Sequence, residues 1–321
     1  MADNHKTKEP SWDKFMREKL QFIIKGEPIP PFVNQSEHIT NLLNPNTQKQ
    51  PTKSGFVDEI DEILQEINSE YAPSNEFNLD LDKCIILPRN KHGNYEYEDL
   101  IVSMHRLGYN KFIENLANYY GFEVYFPEKE SNGYKYIGGV EWNNFLLLNS
   151  ALGNMTLDLR QILDLKNLLT EGIFSKKKIY NGEGKQISKD ILSDIYSEIF
   201  LKVYFDGNSS QKGEFIDNTY MSNKNGSIIY NSNHKLEKGV LTPQRIGIVE
   251  KYLKEPCFID SENCTSIGLP VKEGRGLYYI PPINNSITCI VADAKYVTID
   301  CSVPRKTKSY ALGIRPARVR K

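Results

Sequence analysis

The sequence predicts an α+β fold in which short strands, two main helices and long ordered loops follow a helical N-terminal region. Apolar residues recur at helical spacing in several segments, and they alternate at strand spacing between Ile287 and Cys301. The remaining sequence is aromatic-rich and interrupted by turns. With 321 residues, of which 39% are hydrophobic, the chain is long enough to bury a core.

Two helices are predicted in the N-terminal region. Apolar residues recur at three- and four-residue steps behind a Ser11 cap, in residues 11–26. The same period returns between Phe56 and Ile67, with acidic residues on the opposite side. The sequence between them is rich in Asn, Gln, Thr and Pro, which is typical of a linker. We therefore interpret residues 1–75 as an accessory region and linker, and residues 76–321 as one further domain.

The second domain begins with a strand at Cys84–Leu87, which Pro88 ends. Helices are then predicted from periodicity at 97–107, 110–120, 157–172 and 187–203. Gly108 and Gly121 stand where C-terminal caps belong. The last two helices are the clearest, and a loop at 180–184 separates them. Beyond Phe205 the pattern predicts only short strands, among them 228–230 and 276–280, divided by long connections.

The alternation near the C-terminus predicts a hairpin with one buried face. Ile290, Ala292 and Ala294 share one side of a strand because side chains two apart point the same way. The apolar positions then change from even to odd numbers, so we expect a bulge or turn at Lys295 and Tyr296 that restores a common inner face. An ordinary edge hairpin with a solvated face would produce the same pattern, and this alternative stays open.

Cysteine and histidine spacing favours neither a disulfide framework nor a metal site. The 5 cysteines form an odd count without a CxxC pair, so we expect reduced thiols. The histidines are scattered, and the sequence holds no GxSxG, HExxH or phosphate-loop motif. We therefore expect no catalytic residue, no metal and no cofactor.

Charge and hydropathy limit the classes of partner. The formal net charge of −1 predicts no global attraction to nucleic acid or to an anionic membrane. The basic residues between Arg305 and Lys321 are interpreted as a solvated closing strand and tail. Met1–Pro10 is unlike a signal peptide, and no run approaches the roughly 18 apolar residues of a membrane helix. We expect no nucleic-acid binding, no membrane insertion and cytoplasmic synthesis, with display on a virion or cell surface left open.

Several segments, taken in their order along the chain, resemble one protein family. At the C-terminus these are 279–287, the alternating block up to Cys301, and 312–315 with Ala317 and Arg318. Similar upstream segments lie at 99–104, 180–184, 233–235, 241–244 and 268–270. Together they span residues 80 to 321. In these segments the chain is similar to variable proteins of diversity-generating retroelements, of the archaeal or archaeal-virus type.

The resemblance implies a C-type lectin-like fold, in the branch related to formylglycine-generating enzymes. In that family a reverse transcriptase copies a template repeat, substitutes at adenines and overwrites the end of the gene, so Asn codons become codons for many residues. The variable region would cover residues 284–315, with the inward rows of the hairpin held constant. The positions implied to vary and to bind ligand are Asn285, Cys289, Val291, Asp293, Lys295, Tyr296, Thr298, Asp300, Ser302, Val303, Arg305, Lys306, Lys308 and Tyr310.

Three lysines depart from the family pattern. Lys295, Lys306 and Lys308 cannot arise from an AAC or AAT codon by changes at adenine alone. Either the template has Lys codons there or these positions are constant. Arg315, constant in the family pattern, is expected to be a structural anchor that pairs with a buried carbonyl or carboxylate.

The resemblance implies a non-catalytic, receptor- or adhesin-like protein that binds an unknown protein or glycan on a cell or virus surface. Two alternatives remain, a formylglycine-generating-type oxidase and a structural or tip protein of a virion. Such an oxidase binds copper through paired cysteines. By register, Cys289 points outward and Cys301 inward, so we do not expect this pair to share a metal.

Overall fold

A computed structural model describes residues 79–125, 135–200, 204–205, 208–209, 212–237, 239–249, 251–292 and 296–320. The predicted N-terminal helices, the linker and the boundary near residue 75 lie outside these residues. The described residues belong to two compact units, one of which holds Asn110–Glu123 while the other holds the remainder.

The described elements confirm the α+β class. The helices are α1 (Lys111–Tyr119), α2 (Trp142–Ala151), α3 (Leu159–Phe174) and α4 (Lys189–Phe200), and a 3₁₀ helix spans Leu81–Lys83. The strands are β1 (Cys84–Leu87), β2 (Asn90–His92), β3 (Tyr95–Tyr97), β4 (Leu100–Ser103), β5 (Met155–Thr156), β6 (Tyr204–Phe205), β7 (Asn208–Ser209), β8 (Lys212–Ser222), β9 (Ile228–Glu237), β10 (Val240–Val249), β11 (Cys257–Ile259), β12 (Leu277–Ile280), β13 (Ser286–Ala292), β14 (Val297–Pro304), β15 (Leu312–Gly313) and β16 (Pro316–Val319).

The smaller unit contains α1, which confirms the helix predicted at 110–120. Asn110 caps it, since its side-chain oxygen accepts a hydrogen bond from the Ile113 N–H at 2.8 Å. Gly121 follows the helix with a φ of 81°, the left-handed conformation that ends helices. Gly121 was therefore correctly predicted as the C-terminal cap, whereas the cap at Asn110 was not recognised from the sequence.

A four-stranded antiparallel sheet joins both ends of the larger unit, in the order β1-β4-β16-β5. The strand predicted at Cys84–Leu87 is confirmed as β1. The helix predicted at 97–107 is wrong, because this segment contributes the end of β3 and the whole of β4. Leu100 and Val102 are buried on one side of β4, so strand alternation, not helical period, describes this segment.

The second sheet has eight strands. Seven follow the order β10-β9-β8-β13-β14-β12-β11, and β15 pairs with β8. The pairs β12–β14 and β8–β15 are parallel, whereas the others are antiparallel. The sequence predicted only short strands in 205–250, yet β8, β9 and β10 each run for ten residues or more. Buried polar residues such as Asp217, Asn218 and Asn231 interrupt the apolar alternation there.

Helices α3 and α4 confirm the two main predicted helices, and they pack against each other and against β8. Asp158 caps α3 in a capping box with Gln161, and both carry the reciprocal hydrogen bonds. Helix α2 was missed. Its apolar residues include the consecutive Leu146, Leu147 and Leu148, which point in different directions round the helix and leave no amphipathic period to recognise.

A buried ion-pair network connects the four-stranded sheet with the eight-stranded sheet. Arg315 donates to both carboxylate oxygens of Glu214 on β8, at 3.2 and 2.6 Å, and to the Ser103 carbonyl on β4 at 3.0 Å. It also reaches Glu198 of α4 at 3.4 Å. The expectation that Arg315 anchors the fold through buried partners is confirmed.

Glu198 gives this network a pH dependence. Burial has the largest single effect on Glu198 and disfavours the charged carboxylate. Arg315, His105 and Arg106 together outweigh it, so the pKa of Glu198 falls from its ordinary 4.5 to about 2. A lowered folded-state pKa contributes stability that is fully present above pH 4.5 and is lost as the pH falls toward 2. The contribution is about 3 kcal/mol for a shift of this size.

We predict that Glu198→Gln makes the free energy of unfolding less dependent on pH under acidic conditions. Free energies of unfolding from urea titrations at pH 7, 4, 3 and 2 should fall less steeply with acidification than in the wild type. Glu171→Gln is the control, because Glu171 pairs with Lys177 at a half-exposed surface position. If the free energy of unfolding falls equally steeply with acidification in the wild type and in Glu198→Gln, the role of Glu198 is contradicted.

Candidate functional site

The predicted hairpin forms the centre of the large sheet. Strand β13 lies between β8 and β14, so the hairpin is not at a sheet edge. Ile290 faces Ile299 across the pair, both are fully buried, and Ala292 faces Val297. The two inward rows therefore share one face, as expected. Register shifts fall near Ile287, and the predicted bulge at 295–296 lies partly outside the described residues.

Two of the positions expected at the surface are buried. Cys289 is 2% exposed and Val303 is 8% exposed. Thr288, Cys289 and Ile290 are consecutive and all buried, because this part of the central strand is covered on both faces. Val303 lies two residues beyond Cys301, so it continues the inward row of β14. Their expected exposure is wrong, and neither belongs to an accessible surface.

The other described positions are accessible to different degrees. Those that are exposed are Asn285, Tyr296, Lys306, Lys308 and Tyr310. Those that are half-buried are Val291, Thr298, Asp300, Ser302 and Arg305. Asp293 and Lys295 lie outside the described residues. Asn285 has a φ of 59°, a left-handed conformation that Asn tolerates better than most residues and that restricts what can replace it.

Residues from four strands, with Tyr296 just before β14, form a surface that we call the sheet patch: Phe258, Tyr278, Val291, Tyr296 and Thr298. Phe258 pairs with Tyr278, Tyr278 with Thr298, and Thr298 with Val291, so one row crosses β11, β12, β14 and β13. The Tyr296 ring stacks on Tyr278 at 5.4 Å and meets Phe258 edge-on at 5.1 Å. These separations suit favourable aromatic contacts. The cluster keeps its rings ordered at the surface.

A second surface, the loop patch, consists of Tyr125, Glu141, Lys308 and Tyr310. The rings of Tyr125 and Tyr310 lie 4.3 Å apart, and Lys308 Nζ is 3.7 Å from Glu141 Oε1. Gly138 lies underneath, where an added Cβ would come within 2.7 Å of the Tyr310 carbonyl oxygen. Glycine is therefore required for the chain to pass beneath this loop.

Asp300 and Ser302 depend on each other. The Asp300 carboxylate accepts hydrogen bonds from the Ser302 N–H at 2.8 Å and from its hydroxyl at 2.7 Å. Below them, the Thr288 hydroxyl is within 3.2 Å of the Tyr220 hydroxyl. The outward side of β14 is therefore partly ordered by its own side chains.

The two hairpin cysteines face opposite sides of the sheet. Cys289 pairs with Asp300, so the next residue, Cys301, points the other way. Burial raises the pKa of Cys301 to about 12 and holds that of Cys289 well above its usual range. Both sulfurs are therefore neutral thiols near pH 7. Within the described ranges, no group of three or more His, Cys, Asp or Glu side chains is arranged to hold a metal ion.

Two of the upstream segments that carry the resemblance, 233–235 and 268–270, contribute to the fold and not to the patches. Asp217 holds His234 in place: its carboxylate accepts a hydrogen bond from the backbone N–H of His234 at 2.7 Å and also contacts the His234 ring. The Trp142 ring packs edge-on against the His234 ring, with 5.3 Å between the ring centres. Gly268 has a φ of 90°, and an added Cβ would lie 3.0 Å from the backbone nitrogen of Arg160. Both segments position backbone; neither adds a side chain to the sheet patch or the loop patch.

Phe258, Tyr278, Tyr125 and Glu141 were not expected at the site from the sequence. Tyr278 lies just before the C-terminal segment, whereas the other three are distant from it along the chain. Strand and bridge pairing brings them to it. The available signal was the high aromatic content of the second domain. That content does not distinguish surface rings from core rings.

Comparisons with known proteins found no match, so the interpretation rests on the geometry. No protein-family model matches the chain, and no curated protein or solved structure matches it either. Of the helices in the described ranges, none has the length and apolar character needed to cross a membrane.

We predict that neighbouring positions of the hairpin differ sharply in tolerance. Cys289→Tyr forces a large ring into a covered strand and should cost about 3 kcal/mol of unfolding free energy. Thr298→Tyr adds the same ring on the accessible side and should change stability by about 0.5 kcal/mol or less. Urea denaturation of the two variants and the wild type measures both. Equal losses would show that Thr298 is as enclosed as Cys289.

Proposed function

We propose that this protein is a non-catalytic, receptor- or adhesin-like binding protein whose C-terminal surface is diversified by a retroelement. On this proposal its large domain is a C-type lectin-like fold, in the formylglycine-generating-enzyme-like branch. The sheet patch and the loop patch take the ligand. The observation that carries the proposal is an accessible set of hairpin side chains above an inner row in which Ile290, Ala292, Ile299 and Cys301 are buried.

The alternation between accessible and buried positions supports tolerance to diversification. Val291, Tyr296 and Thr298 contact water, whereas Ile290 and Ile299 fill the core. Substitutions at accessible positions usually change stability by about 0.5 kcal/mol, whereas truncation of buried aliphatic residues costs about 2–5 kcal/mol. Recognition can therefore change while the domain stays folded.

The chemistry of the two patches supports macromolecular recognition. Each patch presents exposed tyrosine beside small or charged side chains, as Tyr296 lies beside Thr298 and Tyr310 near Lys308. Tyrosine gives a large contact area with little loss of side-chain entropy, which is why antibody binding sites use it heavily. We propose a protein or glycan on a cell or virus surface as the ligand.

Burial narrows the proposed variable set. Cys289 and Val303 lie in the interior, so we propose that they stay constant or change only among small apolar residues. Asn285 is exposed but is restricted by its left-handed backbone. The freely variable positions are then the remaining accessible ones of the described variable region: Val291, Tyr296, Thr298, Asp300, Ser302, Arg305, Lys306, Lys308 and Tyr310.

We predict a near copy of the segment encoding residues 284–315 in the DNA flanking this gene, next to a reverse transcriptase gene. The two copies should differ at template adenines, and the differences should concentrate at codons for accessible residues. Sequencing the flanking DNA tests this directly. A flank without repeat and reverse transcriptase would refute diversification, although ligand binding would still be open to the next test.

We predict that Tyr296→Ala weakens ligand binding at least tenfold, because its ring is central to the sheet patch. The measurement uses labelled protein on arrays of glycans and of cell-surface or virion proteins. Tyr180→Ala is a matched control, since Tyr180 and Tyr296 are both 42% exposed but Tyr180 lies in the loop before α4. If Tyr296→Ala and Tyr310→Ala both bind like the wild type, the two patches are not the binding surface.

A further inference from the structure

Strand β10 forms one edge of the large sheet. It pairs with β9 on one side, and within the described ranges no strand pairs with its other side. In an antiparallel strand, half of the residues direct their N–H and C=O groups away from a given neighbour. A ten-residue edge of this kind is a template for another strand unless the protein blocks it.

The accessible face of β10 is apolar in the C-terminal half of the strand. Ile246 is 66% exposed and Ile248 is 60% exposed, although both are large β-branched residues. Ile248 pairs with Ile229, and Ile229 with exposed Met221, so the apolar surface continues onto β9 and β8. Contiguous exposed apolar surface of this kind marks interaction sites in soluble proteins.

The opposite face of β10 is fixed to the domain. Arg245 lies 3.3 Å from the Asp158 carboxylate, and its guanidinium lies 4.2 Å from the centre of the Tyr95 ring. Val249 is buried. The strand is therefore held in place, so its isoleucines are presented on an ordered edge.

We propose that β10 pairs antiparallel with β10 of a second copy of this chain, with Gly247 on the two-fold axis. This register sets Ile246 opposite Ile248 of the partner subunit, and the reverse pair follows by symmetry. Side chains directly opposite in antiparallel strands lie about 5 Å apart, so four isoleucines form one cluster. The Tyr230 ring occupies the inner side of Gly247, where an added Cβ would come within 2.5 Å of it.

A second copy fits this edge better than an unrelated strand because the edge is self-complementary. The Ile-Gly-Ile sequence reads the same in both directions, and the register sets Arg245 opposite Val249 of the partner subunit, so no like charges meet. Pro243 lacks an N–H, which limits the ladder to the C-terminal half of β10. Because the two-fold symmetric contact pairs the β10 edge of one chain with the β10 edge of the other, both edges are occupied and assembly stops at a dimer.

The small area sets the strength of the dimer. Stable interfaces bury about 800 Å² per partner, and four isoleucines with a short ladder bury less. We therefore expect a dissociation constant of about 10–100 µM in solution. This inference goes beyond ligand binding, because a dimer carries two sets of patches and can engage a repetitive surface with higher avidity.

The test is sedimentation equilibrium of the full chain from about 5 to about 500 µM. The wild type should shift from monomer to dimer, and Ile246→Lys/Ile248→Lys should raise the dissociation constant at least tenfold by placing like charges in the cluster. Val240→Lys is the matched control, because Val240 is exposed on the same face of β10 but lies outside the pairing segment. It should dimerise like the wild type.

Cross-linking tests the register. A mixture of Ile246→Cys and Ile248→Cys proteins should form more disulfide-linked dimer on mild oxidation than either variant alone. The wild type, treated in the same way, measures the background from the native cysteines. The proposal is overturned if the wild type stays monomeric up to the highest concentration, if the double lysine variant dimerises normally, or if the mixture gives no excess. Tyr296→Ala should leave dimerisation unchanged, which separates failure here from failure of ligand binding.

Discussion

The buried Arg315 side chain is the constraint on which the rest of the large unit depends. One guanidinium holds Glu214 of β8, the Ser103 carbonyl of β4 and Glu198 of α4. It therefore fixes both sheets and a helix relative to the segment that leads into β16. Removing one partner from such a buried pair leaves an unpaired charge and costs about 3–5 kcal/mol. Because β8 is also the neighbour of β13, the same contact supports the hairpin that carries the sheet patch.

Buried polar residues on β8 set the register of the surrounding elements. Asn218 accepts the N–H of Leu159 at 2.6 Å at the start of α3, and Asp217 holds His234 on β9. Each bond satisfies a group that would otherwise be costly inside the protein. A shifted register would break these bonds, so polar contacts select one arrangement of the sheet and apolar burial then stabilises it.

Features determined by local physics could be predicted from the sequence, and those determined by distant pairing could not. Local sequence patterns predicted helices α3 and α4, the Gly121 cap of α1, strand β1 and the inner rows of the hairpin. The cost of an unpaired buried charge predicted the anchoring role of Arg315. The long strands β8 to β10 were missed because buried polar residues there have partners that only the fold supplies. The burial of Cys289 was missed for a related reason, since alternation shows which residues share a face but not whether that face is covered. Phe258 and Tyr278 join the site through strand order, which the sequence does not reveal.

The bond between Asp300 and Ser302 affects how this surface can evolve. The two side chains and one backbone N–H share a single hydrogen-bonded arrangement, so a change at one residue alters the environment of the other. We therefore expect residues at these two positions to be selected as pairs, with some combinations favoured and others excluded. Even a mutational process that altered each codon independently would leave a correlated set of survivors. The diversity available to this protein is then smaller than the product of its separate positions.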